Sequence, residues 1–213
     1  MNGRQLALVV MPPVLTASTW WAFHMLTVRV GPTAGYLVGF LFYWLIWCLA
    51  LPLVLLGRRG VIGAFRNLRF ADTRPSLSNG VLLLLPLVLG FGYAFPRAIA
   101  EASPTIVVVS AILALVNAPL EELLWRGTYL NIFDESWLLG YAYPAIGFGI
   151  WHLAPLSVIP NRAPGGSASF VAVSVSLGLI WGWVAMRSKS ILWTSVAHIL
   201  FDFSGLGGRL YFR

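Results

Sequence analysis

Charge is what this chain has least of. Charged side chains make up 10% of its 213 residues, against about 25% in an ordinary soluble domain. So little charge is not enough to cover a water-facing surface. It also excludes disorder, which needs low hydrophobicity and high charge. Acids are scarcest, with seven Asp and Glu against fourteen Lys and Arg. A single cysteine, Cys48, rules out a disulfide framework and any Cys-rich metal site. No HExxH run is present, so a thermolysin-like zinc site is not indicated. No serine or cysteine stands in a nucleophile motif, which argues against a covalent route.

What is present is apolar. Hydrophobic residues reach 59% and the mean hydropathy is +0.82. The apolar runs are continuous rather than alternating in short pieces, which argues against a transmembrane barrel. The fold class that follows is all-α, a polytopic integral membrane helical bundle of about seven transmembrane helices. A span needs roughly 20 apolar residues. Seven segments qualify: Leu6 to Val28, Thr33 to Leu56, Asn79 to Phe95, Thr105 to Trp125, Trp137 to Ile159, Phe170 to Met186, and Ile191 to Leu206. The last two are short, which leaves room for a broken or tilted segment there. The first resembles a signal peptide in having Arg4, an apolar stretch, then Ala17 and Ser18. It continues through Trp20, Trp21 and Phe23, too long and bulky for a cleavage region. The chain reads as one membrane domain over 1–213, with N-terminal spans in 1–104 and core spans in 105–206.

The longest polar stretch, Gly57 to Ser78, carries Arg58, Arg59, Arg66, Arg69 and Arg74 against Asp72 alone. Such an excess orients loops to the cytoplasm. Hence no nucleic-acid partner is expected, and the setting is a cell membrane crossed several times. The N-terminus and the Arg187/Lys189 loop then face the cytoplasm. The C-terminus, with Arg209 and Arg213, falls outside, a poorer fit to the rule. Val61, Ile62, Phe65 and Leu68 share one side and suit an amphipathic surface helix, although a solvated orienting loop is the plainer reading. Pro160 to Gly166 reads as an outer loop from its breakers. No soluble second domain is expected.

Three acids nevertheless fall inside apolar segments: Glu121, Glu122 and Asp202. So do all three histidines, His24, His152 and His198. A charge at mid-span costs roughly 2.5–3.5 kcal/mol on insertion scales, so such groups need partners or a purpose. Glu122 and Arg126 lie four apart and can pair on one helix face. Glu121 points about 100° away and can face the bundle interior. Pro119 leaves the Leu115 carbonyl without its helical donor, which loosens the helix beside the acids. On its own, the Glu122–Arg126 pair reads as an anchored helix end. His152 follows Phe148 by four residues, and Gly147 and Gly149 beside it permit close helix approach. Alone it reads as a helix–helix hydrogen bond. His198 and Asp202 are again four apart, so the carboxylate can hold the imidazole. Alone they read as a clamp. His24 has no acid nearby in sequence and reads as structural.

Taken together the three sites change meaning. If three helices bring them to one place, they supply a base, a second proton-handling group and a polarising group. Those are the parts needed to split an amide with water. A carboxylate kept out of water is a stronger base than one in water.

The residues follow three motifs in order: Glu121-Glu122-Leu-Leu-Trp-Arg126 for EExxxR, Phe148-Gly-Ile-Trp-His152 for FxxxH, and His198-Ile-Leu-Phe-Asp202 for HxxxN/D. This pattern resembles the CPBP intramembrane proteases, the CAAX protease and bacteriocin-processing or Abi family. The resemblance covers the chain from the fourth segment onward. It implies a hydrolase working through a glutamate-activated water on a membrane-tethered peptide or protein substrate in the lipid bilayer. Carried over residue by residue, it makes Glu121 the base and gives His152 the placing of the water. His198 and Asp202 are assigned to the oxyanion, while Glu122, Arg126 and Phe148 orient the site. The prenyl-protein peptidases of the family have Asn where this chain has Asp202, and an ionised carboxylate cannot donate to an oxyanion. Glu121, His152 and His198 also make a two-His, one-carboxylate set. A cation beside the two glutamates disfavours a dication there, so the expectation is no metal and no cofactor. Two other classes stay open: a small transporter or proton-coupled membrane protein, and a catalytically silent immunity or scaffold member of the same family.

Overall fold

The computed structural model describes residues 1–66, 76–134, 136–161 and 165–211. Among the described residues there are seven helices and no strand. They are α1 (Gly3–Val30), α2 (Pro32–Phe65), α3 (Leu77–Ile99), α4 (Pro104–Ile132), α5 (137–156), α6 (Gly166–Ser188) and α7 (Leu192–Ser204). Five of them, α1 to α4 and α6, are long and apolar enough to cross a membrane. The chain is a multi-pass membrane protein.

Local chemistry sets the helix starts. Asn2 and Gln5 cap α1 reciprocally, satisfying two backbone donors that the first turn leaves open. Ser76 caps α3 and Ser103 caps α4, the latter followed by Pro104, whose missing N–H is no loss in a first turn. Prolines also shape the interiors. Three widened π-helical stretches, Tyr43–Ala50, Gly90–Ala94 and Trp137–Ala142, run directly into regular helix opening on Pro52, Pro96 and Pro144. A proline cannot close the usual bond to the carbonyl four residues back, and a wider turn accommodates the gap. A fourth π stretch, Leu123–Thr128, follows Pro119 and sits immediately after Glu121 and Glu122.

The segments expected from the sequence reappear, most with ends moved by up to four residues, while α2 runs nine residues past Leu56 and α4 seven past Trp125. The break falls elsewhere than expected. Helix α6 runs unbroken for 23 residues, whereas α5 is interrupted at His152. Pro155 explains this, since it cannot donate to the Trp151 carbonyl. His152 therefore stands at the end of a helical piece rather than in mid-span. Helix α2 bends at Gly57, whose φ of 68° suits glycine. Beyond the bend, Val61, Ala64 and Phe65 dock on Leu123, Ala185 and Ile191, while Ile62 stays exposed. This part of the polar stretch is packed helix. Leu68, Arg69, Asp72 and Arg74 lie outside the described residues, as do Arg213 and residues 162–164 of the outer loop.

The core is aromatic and joins α1, α2, α4 and α5. Leu8, Leu15, Tyr43, Trp44, Trp125, Tyr129, Phe148 and Trp151 form one cluster. Large apolar side chains such as Val54, Val88 and Leu89 point outward. Lipid tails are as apolar as these, so helix association rests on close packing and hydrogen bonds. Gly149 on α5 meets Val171 and Val175 of α6, and Gly178 of α6 meets Ala145. The close approach permitted by the glycines holds the His152 helix against α6.

Candidate active site

The ionisable groups of α4, α5 and α7 meet inside the bundle. Glu121, Glu122, Arg126 and His198 are each at most 3% exposed. Glu122 is the hub of the buried side. Its Oε1 lies 3.0 Å from Arg126 Nη1 and accepts from His198 Nδ1 at 3.0 Å. The Arg126 guanidinium lies over the Phe148 ring at 4.4 Å and the Trp181 ring at 5.7 Å. Trp181 also stacks on His198 with ring centroids 4.2 Å apart. The histidine is thus held by a carboxylate at one nitrogen and by an indole on its face.

Glu121 faces the other way, as its helical offset from Glu122 requires. Its Oε2 lies 3.6 Å from His198 Nε2, and the same nitrogen lies 3.4 Å from Asp202 Oδ1. Both distances exceed a tight hydrogen bond of about 2.7–3.2 Å, so the group at Nε2 is not committed to either acid. The Tyr43 hydroxyl, which accepts from Trp125 Nε1 at 2.9 Å, lies beside Glu121. His152 Nδ1 lies 2.7 Å from the Phe148 carbonyl. A carbonyl only accepts, so Nδ1 carries the hydrogen and Nε2 is left with a lone pair. Phe148 sets its ring edge-on to both histidines, 4.8 Å from His152 and 6.0 Å from His198.

Glu121, His152, His198 and Asp202 line one cavity of about 530 Å³. Its remaining wall is mostly apolar and aromatic, including Tyr36, Phe40, Trp44, Trp151 and Phe170. Asp202 is the most open of the three acids around His198, with 28% of its side chain exposed. His24 lies apart, its Nδ1 on the Trp20 carbonyl of its own helix.

Sequence reasoning missed four neighbours. Asn117 donates from Nδ2 to Glu121 Oε2 and to Asp202 Oδ2, each at 3.0 Å. Trp44 Nε1 donates to Asn117 Oδ1 at 2.8 Å. Tyr43 and Trp181 complete the set. Only Asn117 left a trace in the sequence, as an amide four residues before Glu121 in an apolar helix.

Arg126 sits against Glu122 in the same cluster, a fixed positive charge that works against a divalent metal ion beside these acids. Among the described residues no group of three or more His, Cys, Asp or Glu is arranged to hold one.

No curated protein and no solved structure matches the chain. Residues 103–204 match a family model described as Rce1-like, type II CAAX prenyl endopeptidase Rce1-like. The matched stretch begins at the cap of α4, ends with α7, and contains all three motifs and Asn117. Through these four helices the chain is similar to the Rce1-like CAAX endopeptidases, in agreement with the family its motifs resemble.

Proposed function

We propose that this protein is an intramembrane endopeptidase that hydrolyses a peptide bond of a membrane-tethered substrate with a water activated by Glu121. The observation that supports this most is the common cavity on which Glu121, His152, His198 and Asp202 open. Glu121 takes a proton from the water, and the lone pair on His152 Nε2 helps to place it. With carboxylates facing both of its ring nitrogens, His198 carries a hydrogen on each. The hydroxide oxygen bonds to the carbonyl carbon, and the new oxyanion turns to the N–H of His198 Nε2. Glu121 then returns its proton to the amide nitrogen as the C–N bond breaks. The products are a carboxylate and an amine. Asp202 only accepts, so its part is to hold His198 rather than to donate. Glu122 and Arg126 fix the far side of that ring. No step requires a metal.

The family description points first to a prenylated C-terminal tail as substrate. The aromatic lining of the cavity is compatible with an isoprenoid chain beside the scissile bond. The test is cleavage of a farnesylated peptide and its unprenylated twin by the purified protein in nanodiscs. Glu121→Gln should lower turnover by about 10²–10⁴-fold, the usual size of a general-base contribution. A chelator should change nothing. Unaltered turnover in Glu121→Gln, or activity abolished by chelation and restored by zinc, refutes the mechanism.

A further inference from the structure

We infer that Asn117 is a positioning residue, whose single amide nitrogen holds the Glu121 and Asp202 carboxylates side by side and thereby aims the base. The inference rests on the protease reading above and deepens it. The geometry leaves little freedom. An indole N–H can only donate, so the atom of Asn117 facing Trp44 must be its oxygen. That fixes the amide against flipping and turns Nδ2 toward the two acids. Its two N–H groups then meet two acceptors, one on α4 and one on α7, both at 3.0 Å. Both N–H donors are taken and one lone pair of the oxygen is held by the indole, so the amide is committed to its neighbours before any substrate arrives.

His198 Nε2 lies between the same two acids, nearest Glu121 Oε2 and Asp202 Oδ1. Asn117 thus bridges by hydrogen bonds a carboxylate pair that His198 Nε2 faces at 3.4 and 3.6 Å. Two carboxylates repel at such range, and donors between them are what keep both in place. Without Asn117, the partly exposed Asp202 is free to swing toward the cavity, and Glu121 can close on His198. The base would then be paired with the group that should receive the oxyanion. The loss belongs to chemistry rather than to substrate binding. The arrangement also bears on the unusual Asp202. The prenyl peptidases that the chain resembles carry an amide at that place. Here the amide stands on the neighbouring helix instead, 3.0 Å away.

The test measures kcat, KM and unfolding temperature for Asn117→Leu, Asn117→Asp, Trp44→Phe and the reciprocal exchange Asn117→Asp/Asp202→Asn. Asn117→Leu should lose about 30-fold or more in kcat with KM within about threefold of wild type, the signature of an interaction that serves the reacting groups. Trp44→Phe should move kcat in the same direction by less. Asn117→Asp gathers three acids on the Nε2 side of His198 and should lose about 100-fold, and the exchange should regain at least about tenfold of it together with unfolding temperature. A kcat within threefold in Asn117→Leu overturns the inference, as does an exchange no better than Asn117→Asp. A loss confined to KM, accompanied by a collapse in stability, also overturns it. If the wild-type protein cleaves neither peptide, the protease reading fails and the unfolding arm decides alone. Recovery of stability in the exchange sustains the bridge, and its absence overturns it.

Discussion

Replacing Arg126 by Met tests whether the buried side of the site is an ion pair that must be broken together or not at all. Arg126 is 2% exposed and Glu122 fully buried, with 3.0 Å between their charged atoms. Met fills much of the same volume and keeps apolar contact with Phe148 and Trp181. What it removes is the cation over those rings and the counter-charge of Glu122. Removing one partner of a buried pair costs about 3–5 kcal/mol, chiefly because the other charge is stranded. At roughly 2–4 °C per kcal/mol for a chain of this size, the melting temperature should fall by about 6–20 °C. The companion variant Glu122→Gln/Arg126→Met removes both charges, while the side-chain carbonyl of the introduced glutamine still accepts from His198 Nδ1. It should recover at least half the lost stability, since an uncharged pair strands nothing. Thermal unfolding of detergent-solubilised protein, read by intrinsic fluorescence, measures both. A single variant melting within about 2 °C of wild type, or a double variant no more stable than the single, refutes the reasoning.

Trp181→Ala removes the ring stacked on His198 and against Arg126, and should cost about 3–5 kcal/mol of stability as well as activity, whereas Trp181→Phe should restore most of the stability in the same melting assay. Gly149→Val places a Cβ 2.2 Å from Val175 Cγ2 and 3.0 Å from its backbone nitrogen. The side chain can turn aside but the backbone cannot, so α5 must part from α6 at a cost of about 1–3 kcal/mol, seen as a lower melting temperature with turnover falling through the displaced His152. Asp202→Asn keeps an oxygen for Asn117 or His198 to donate to, and steady-state cleavage should stay within about tenfold of wild type if Asp202 supports rather than donates. A loss as large as that of Glu121→Gln would show that its charge is essential.

The spans were legible because lipid selects on length and hydropathy alone, and the motif residues because four-residue spacing places side chains on one helix face. The break at His152 was legible too, in Pro155, but the apolar run through it concealed the interruption. What spacing alone does not give is contact between helices. Trp44 reaches Asn117 across 73 positions and Asn117 reaches Asp202 across 85. Trp181 shows the same limit, as its place on His198 depends on how α6 turns, and a Trp in an apolar helix reads equally well as facing lipid. Asp202 is the most instructive residue. Taken by position, it is a departure that replaces a donor with an acceptor. Taken with its neighbour, the pocket still contains one amide and two acids on the Nε2 side of His198, with the amide carried by α4. A reaction responds to which donors and acceptors converge, and helices packed this closely can exchange them. The residue to examine beside any acid found at the last motif position is therefore the one four places before the first glutamate.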